Sequence, residues 1–180
     1  LQLHIITEKH KIEELANITV QGLRFAYHNS EFRKEMSSWI TSNWSRRLDG
    51  IPGYSLRMPS LISLFFPSIV RWFDIGATVG ALNHKSVASA PLIAIISAKD
   101  DGPTSWIEVG RTAEHFMLSA TSLGLETSIF VAAIEMGDFS RGIQTIIGTP
   151  YLPQFLICAG YMNTDQKMTP RHPVEEKLIV

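Results

Sequence analysis

The sequence is poor in several things at once. It has one cysteine, Cys158, so it cannot close an internal disulfide, and that points to a reducing, cytoplasmic setting. Cys158 lies in the apolar run QFLICAGYM, where a thiol reads as a small buried hydrophobe; a reactive thiolate needs an electropositive, partly open site. Charge of neither sign is in excess, with 16 Lys and Arg against 17 Asp and Glu. A near-neutral chain has no electrostatic footprint for nucleic acid or an anionic bilayer, and neither is expected as a partner. Long hydrophobic runs are missing too. Pro67, Arg71 and Asp74 interrupt one apolar stretch, and Pro91 and Lys99 interrupt another, so none approaches the roughly 20 residues of a membrane span. The chain opens LQLHIITEKH, which has no basic-then-apolar pattern of a signal peptide, and its missing initiator methionine suggests an excised domain or a processed fragment.

Motifs that carry side-chain chemistry are also lacking. There is no Gly-x-x-x-x-Gly-Lys-Ser/Thr loop and no Gly-x-Gly-x-x-Gly turn; GALNHKS, from Gly80 to Ser86, lacks the glycine before its lysine. There is no His-Glu-x-x-His, one cysteine cannot build a thiolate zinc site, and no Gly-x-Ser-x-Gly elbow offers a nucleophile. The six histidines are scattered, and His4, His10 and His115 read as surface or hydrogen-bonded groups rather than ligands or bases. Glu13–Glu14 and Glu175–Glu176 are adjacent pairs, and neighbours on a helix do not face each other. No catalytic residue and no metal ligand is therefore assigned. Any chemistry here has to come from a bound cofactor.

What is present is an ordinary globular pattern. With 45% apolar residues over 180, the chain can bury a core of its own as one domain spanning 1–180. LQLHIIT reads as a strand, with Thr7 capping a helix in which Ile12, Leu15, Thr19, Leu23 and Ala26 form one stripe. Ser30 is placed to cap a second helix, with Phe32, Met36, Trp39 and Ile40 on one face. Periodicity is lost at SRRLDGIPGYSLRMPS, and residues 45–90 read as an inserted loop or flap. Within it LISLFFPSIVRWF, cut by Pro67, predicts short helical pieces that either pack on their own core or mark an interface.

The second half is more regular. APLIAIISAK reads as a strand buried on both faces. Thr104 or Ser105 then caps a helix whose Trp106, Val109, Ala113, Phe116, Met117, Ala120 and Leu123 share a face, and Gly124 supplies a left-handed end. DFSRGIQTIIG predicts a short helix capped by Asp138, YLPQFLICAGYM another buried strand, and NTDQKMTPRHPVEEKLIV a polar tail. Strands and helices are mixed without regular alternation, which favours α+β over a doubly wound sheet.

The order of PLIAIISAKDDGPTSWIEVGRTAEHFMLSATSLGLETSIF, IIGTPYLPQFLICAGYM and TPRHPVEE, over about residues 90–175, resembles the nitroreductase family of flavin-mononucleotide enzymes. FRKEMSSWI, DGIPGY and GRTAEHFMLSATSLGLETS further resemble a branch of it: duplicated nitroreductase-like proteins related to the mycobacterial Acg protein, of which this chain looks like a second half. The resemblance implies a mostly antiparallel sheet surrounded by helices, in two layers or a sandwich, paired as a homodimer or with a missing N-terminal half. It implies FMN as cofactor, NAD(P)H as hydride donor, and a nitroaromatic, quinone or similar small acceptor. It places Ser128, Ile129 and Phe130 against the flavin ring and Arg171 at its phosphate, where a guanidinium gives bidentate hydrogen bonds. The family's Arg-Arg-Ser-x-Arg segment and an Asn-x-Gln-Pro-Trp-like stretch have no counterpart here; Arg46–Arg47 lies in a different context. A non-catalytic flavin-storing domain, or a half that covers its partner without a cofactor, is the alternative reading.

Overall fold

A computed structural model describes residues 1–162 and 167–178; the part of the expected polar tail at 163–166 and 179–180 lies outside the described residues. The chain divides into two compact units, Leu1–Ala26 with Gly76–Asn163, and Tyr27–Ile75 with Thr164–Val180. The segment 45–90 contributes to both, because a helix at Ser60–Trp72 falls in the second unit and one at Gly76–Ala88 in the first.

The first unit is built on a four-stranded antiparallel sheet. Its strands are β1 (Gln2–Ile6), β4 (Leu92–Ala98), β5 (Glu126–Ile129) and β6 (Leu152–Gly160), in the order β1-β4-β6-β5. The expected α+β class and antiparallel sheet are both present. Both central strands, β4 and β6, are buried on two faces, which is why their sequences run apolar without alternation. On one face Ile93, Ile95, Leu156 and Cys158 pack with Ile12, Leu15 and Ala16 of α1 (Lys9–His28), Val87 of α4 (Gly76–Ala88), Ala133 of α6 (Ala132–Glu135) and Ile143 of α7 (Gly137–Ile147). On the other face Ala94, Ile96, Ala98 and Ile157 meet Val109 and Ala113 of α5 (Pro103–Ser122).

The α1 stripe is buried at every expected position, Ile12, Leu15, Thr19, Leu23 and Ala26. Thr19 enters the core because its hydroxyl donates to the Leu15 carbonyl at 2.9 Å, so no polar atom is left without a partner. Gly22 lets α1 approach α6: a Cβ there would lie 2.6 Å from Ala133 Cα. The α5 stripe holds at its centre, with Val109, Ala113 and Ala120 buried, but Trp106 and Leu123 at its ends are exposed.

Helix starts were the least legible feature. Thr7 lies outside α1; the Glu8 carboxylate accepts from the Thr7 amide instead, and the Glu8 carbonyl takes the first helical bond from Ile12. The second unit's α2 (Ser30–Trp39) is capped by Asn29, whose Oδ1 accepts from the Glu31 amide at 2.9 Å, so Ser30 is the first helical residue rather than the cap. α5 starts at Pro103 after Gly102 without a side-chain cap, and Thr104 and Ser105 already lie inside it. Proline at the first helical position has no amide to satisfy, which makes the hydroxyl cap dispensable. Asp138 likewise sits in the first turn of α7, after Met136.

The second unit packs α2 against α3 (Ser60–Trp72), beside a short parallel pairing of β2 (Ile40–Thr41) with β3 (Ile51–Pro52). α3 is one continuous helix, not pieces, although Pro67 lies inside it. Proline removes one main-chain bond and crowds the preceding turn, a cost of ~3 kcal/mol that packing of the helix against α2, with Val70 buried, has to offset. The Ser63 hydroxyl donates to the Ser60 carbonyl and accepts from the Asn43 amide, fastening the loop before α3 to the helix. Arg33 donates to the carbonyls of Tyr27 and His28, satisfying the C-terminal end of α1.

Candidate functional site

α5 delivers the chain to the turn at which a cofactor contact is expected. Its end is a six-residue Schellman closure: the Leu125 amide donates to the Ala120 carbonyl at 2.9 Å and the Gly124 amide to Thr121 at 3.0 Å. Gly124 takes φ +72°, a left-handed conformation that glycine adopts without strain. The chain then enters β5, the edge strand of the sheet, which pairs with β6 on one side only among the described residues.

The pairing determines what β5 offers on its open side. The Phe130 amide donates to the Leu156 carbonyl at 2.9 Å. Main-chain roles repeat every second residue in an antiparallel ladder, so Ser128 and Glu126 also turn their amide and carbonyl toward β6. Thr127 and Ile129 turn theirs outward. Side chains alternate as well: Ser128 stands opposite Cys158 and shares its sheet face, whereas Ile129 stands opposite Ile157 on the α5 face.

The expected trio therefore splits into three surroundings. Ser128 is exposed on one face and Ile129 is exposed on the other. Phe130 is half-buried and packs against the core of α1, α6 and α7, so its ring anchors the turn. Sequence reasoning missed Thr127, whose main chain faces the same open edge as that of Ile129. The period-two alternation would have found it had the strand been recognised as starting at Glu126.

Arg171 belongs to the second unit. It is exposed, its guanidinium donates to Thr169 Oγ1 at 2.7 Å, and it pairs with no carboxylate among the described residues. Arg47 is committed elsewhere: it grips Asp49 with two bonds of 3.2 and 3.0 Å and reaches the Ser38 carbonyl. That grip holds the Asp49 carboxyl below its ordinary pKa.

Among the described residues the other titratable groups give no constellation. His10 and His115 are exposed, and burial lowers the pKa of His4. Burial pushes the Cys158 thiol up to about 12, which removes it as a nucleophile. Among the described residues no group of three or more His, Cys, Asp or Glu side chains comes together. A cavity of about 380 Å³, lined by residues including Leu1, Lys99, Thr104 and Glu108, lies at the N-terminal end of α5. A 20-residue helix is ~30 Å long, which places this cavity far from β5. Among the described residues no single helix is long and apolar enough to cross a membrane.

These features are those of a known fold. The profile of the nitroreductase family matches residues 2–161, and the chain belongs to that family. No curated protein sequence matches it. Its fold is shared by the FMN-dependent nitroreductase NfnB from Mycobacterium smegmatis in complex with NADPH, at 15% identity and TM-score 0.59, covering 99% of this chain and 78% of that one. It is shared also by the FMN and NADPH-dependent nitroreductase NfnB from Sphigopyxis sp. strain HMH, at 14% identity and TM-score 0.58 with the same coverage. A BluB-like flavoprotein from Clostridium difficile 630 aligns at 14% identity and TM-score 0.50, again over 99% of this chain and 78% of the other.

Proposed function

We propose that this chain is an FMN-dependent oxidoreductase of nitroreductase type, taking electrons from NAD(P)H and passing them to a nitroaromatic, quinone or similar small acceptor. The observation that carries this reading is the open edge of β5. Outward amide and carbonyl groups at Thr127 and Ile129 offer alternating donors and acceptors, which is what the hydrogen-bonding rim of a flavin ring needs. The residues present thus fit the ring. Arg171 is the proposed phosphate contact, and its exposed guanidinium has donors beyond the one given to Thr169.

Bound flavin would supply the hydride and electron transfer. The chain's own residues do the rest. Gly124 closes α5 so that β5 leaves at a fixed angle. Phe130 and the pairing with β6 hold the strand rigid, which keeps the outward groups in place without reorganisation. Exposed Ile129 offers an apolar surface for a ring to lie against. Assembly as a homodimer, or with a preceding half as in the duplicated Acg-like branch, would cover this side of the strand.

Absorbance of the purified protein tests the reading. Flavin bands that bleach with NADPH or NADH support it. Colourless protein that takes up no added FMN refutes it. Flavin bands that resist bleaching favour the storage alternative, which the exposed apolar helix α3 supports as a covering element. Arg171→Ala should weaken FMN binding by about 10- to 100-fold, read as lost retention on desalting, since one charge-assisted hydrogen bond contributes about 1.5–3 kcal/mol. Unchanged retention would retire that role.

A further inference from the structure

Arg171 stands between two prolines, in Thr169-Pro170-Arg171-His172-Pro173. Each proline fixes its own φ and holds the residue before it extended, so the main chain on either side of the guanidinium is stiff. A stiff segment still has to be anchored. Among the described residues, main-chain hydrogen bonds in the tail begin only with the turn that follows, where the Glu176 amide donates to the Pro173 carbonyl at 3.2 Å. Ahead of that turn the contacts come from side chains. The Lys167 ammonium, four residues before Arg171, lies 4.3 Å from the centroid of the Tyr54 ring. His172, directly after Arg171, donates from Nδ1 to the Glu176 carboxylate at 3.3 Å, since a carboxylate can only accept.

Tyr54 is a firm post for the lysine. It belongs to the 3-10 turn Gly53–Leu56, closed by the Arg57 amide donating to the Tyr54 carbonyl and the Met58 amide to the Gly53 carbonyl, both at 3.0 Å. Gly53 lies so close to α3 that a Cβ there would be 2.5 Å from the Ser63 Cβ, so the turn cannot shift without moving that helix. Charge adds a second hold. The Asp49 carboxyl is kept below its ordinary pKa chiefly by the Arg47 guanidinium and in small part by His172, which puts the residue after Arg171 within electrostatic reach of the loop before the turn.

We propose that Tyr54 and Lys167 are positioning residues for Arg171: their contact anchors the tail, so that the guanidinium is held ready for an anionic phosphate before the ligand arrives. The inference rests on the flavin reading above and deepens it, since neither residue has to touch the flavin. A tail that swings freely loses conformational freedom on binding; one already fixed loses less, and the difference appears as affinity. Thr169 completes the arrangement, its Oγ1 accepting one N–H of Arg171 at 2.7 Å and leaving other guanidinium donors for an anion.

The full chain with Tyr54→Leu, Lys167→Met and Tyr54→Phe tests this. Trypsin cleavage after Arg171, followed by mass spectrometry on the FMN-free protein, reports how firmly the tail is held. The first two variants lose an exposed cation–π contact, so cleavage should speed up about two- to fivefold, while Tyr54→Phe keeps the ring face and should match wild type. FMN affinity, read by quenching of flavin fluorescence, should weaken by about the same factor in the same two variants. In an Arg171→Ala background it should weaken no further, because the anchor then has nothing left to position. Circular dichroism should stay at wild type; Lys167 is exposed, so Lys167→Met carries the test if Tyr54→Leu does not fold. Unchanged cleavage shows that the contact does not hold the tail and overturns the proposal. Affinity losses that persist without Arg171 overturn it as well, since the two residues then act on their own. Wild-type protein that binds no FMN overturns the flavin reading and the positioning role with it, and the wild type alone distinguishes that outcome from the other two.

Discussion

Replacing Gly22 by alanine should destabilise the protein, against the ordinary rule for helices. Alanine is the better helix former by about 1 kcal/mol, so on propensity alone the substitution stabilises. The structure reverses the sign. A Cβ at Gly22 would sit 2.6 Å from Ala133 Cα and 2.8 Å from Ala133 N, contacts with main chain that no rotamer change can relieve. Overpacking of this kind costs about 1–3 kcal/mol, and contact with backbone belongs at the upper end. A net loss of about 2 kcal/mol follows, which for a chain of this size lowers the melting temperature by about 4–8 °C. The strain is local: α6 begins two residues after Phe130, so pushing it from α1 also disturbs the anchor of β5. Thermal melting of Gly22→Ala beside wild type, followed by amide exchange at Phe130 and Ala133, reads both effects. An unchanged or higher melting temperature would show that the two helices do not touch there.

Other outcomes follow from the same contacts. Gly124→Ala meets no atom within 4 Å, so its cost is backbone strain alone, about 1–2 kcal/mol, measurable by urea unfolding; no loss would mean α5 does not end in the left-handed closure. Cys158, buried with its thiol raised to about 12, should resist a thiol reagent at mildly alkaline pH until the protein unfolds; stoichiometric labelling of the native protein would contradict its burial. Hydrogen bonds from the Trp106 indole, then Gln154, hold the Asp101 carboxyl below its ordinary pKa. A depressed folded pKa means the stabilisation is present above the unfolded carboxylate pKa and is lost as pH falls through the folded one. The melting temperature of wild type should therefore fall more steeply in acid than that of Asp101→Asn, and parallel acid profiles would remove Asp101 as a contributor.

Helical periodicity gave α1 and α5 and unbroken apolar runs gave β4 and β6, because each meets the core along most of its length, the helices on one face and the strands on two. Residues 12, 15, 19, 23 and 26 are all buried for that reason. Gly124 was equally legible, since a left-handed turn after a helix leaves few choices of residue. Caps were not: Asn29, Gly102 and Met136 displaced the expected Ser30, Thr104 or Ser105, and Asp138. Several hydroxyl, amide and glycine residues stand near each helix start, and local sequence does not rank them.

The site divides in the same way. The residue types at 128–130 marked a turn worth attention, but types do not say which side of a strand is open. That followed from β5 being an edge, from its pairing with β6, and from the Phe130–Leu156 hydrogen bond, which together turn Thr127 and Ile129 outward and Phe130 into the core. Pro67 in LISLFFPSIVRWF announced a break, yet packing against α2 carries the helix through it. Composition thus fixed which segments are apolar enough to be buried or to seek a partner. Which of them found one depended on contacts between residues far apart in the chain, and no local spacing encodes those.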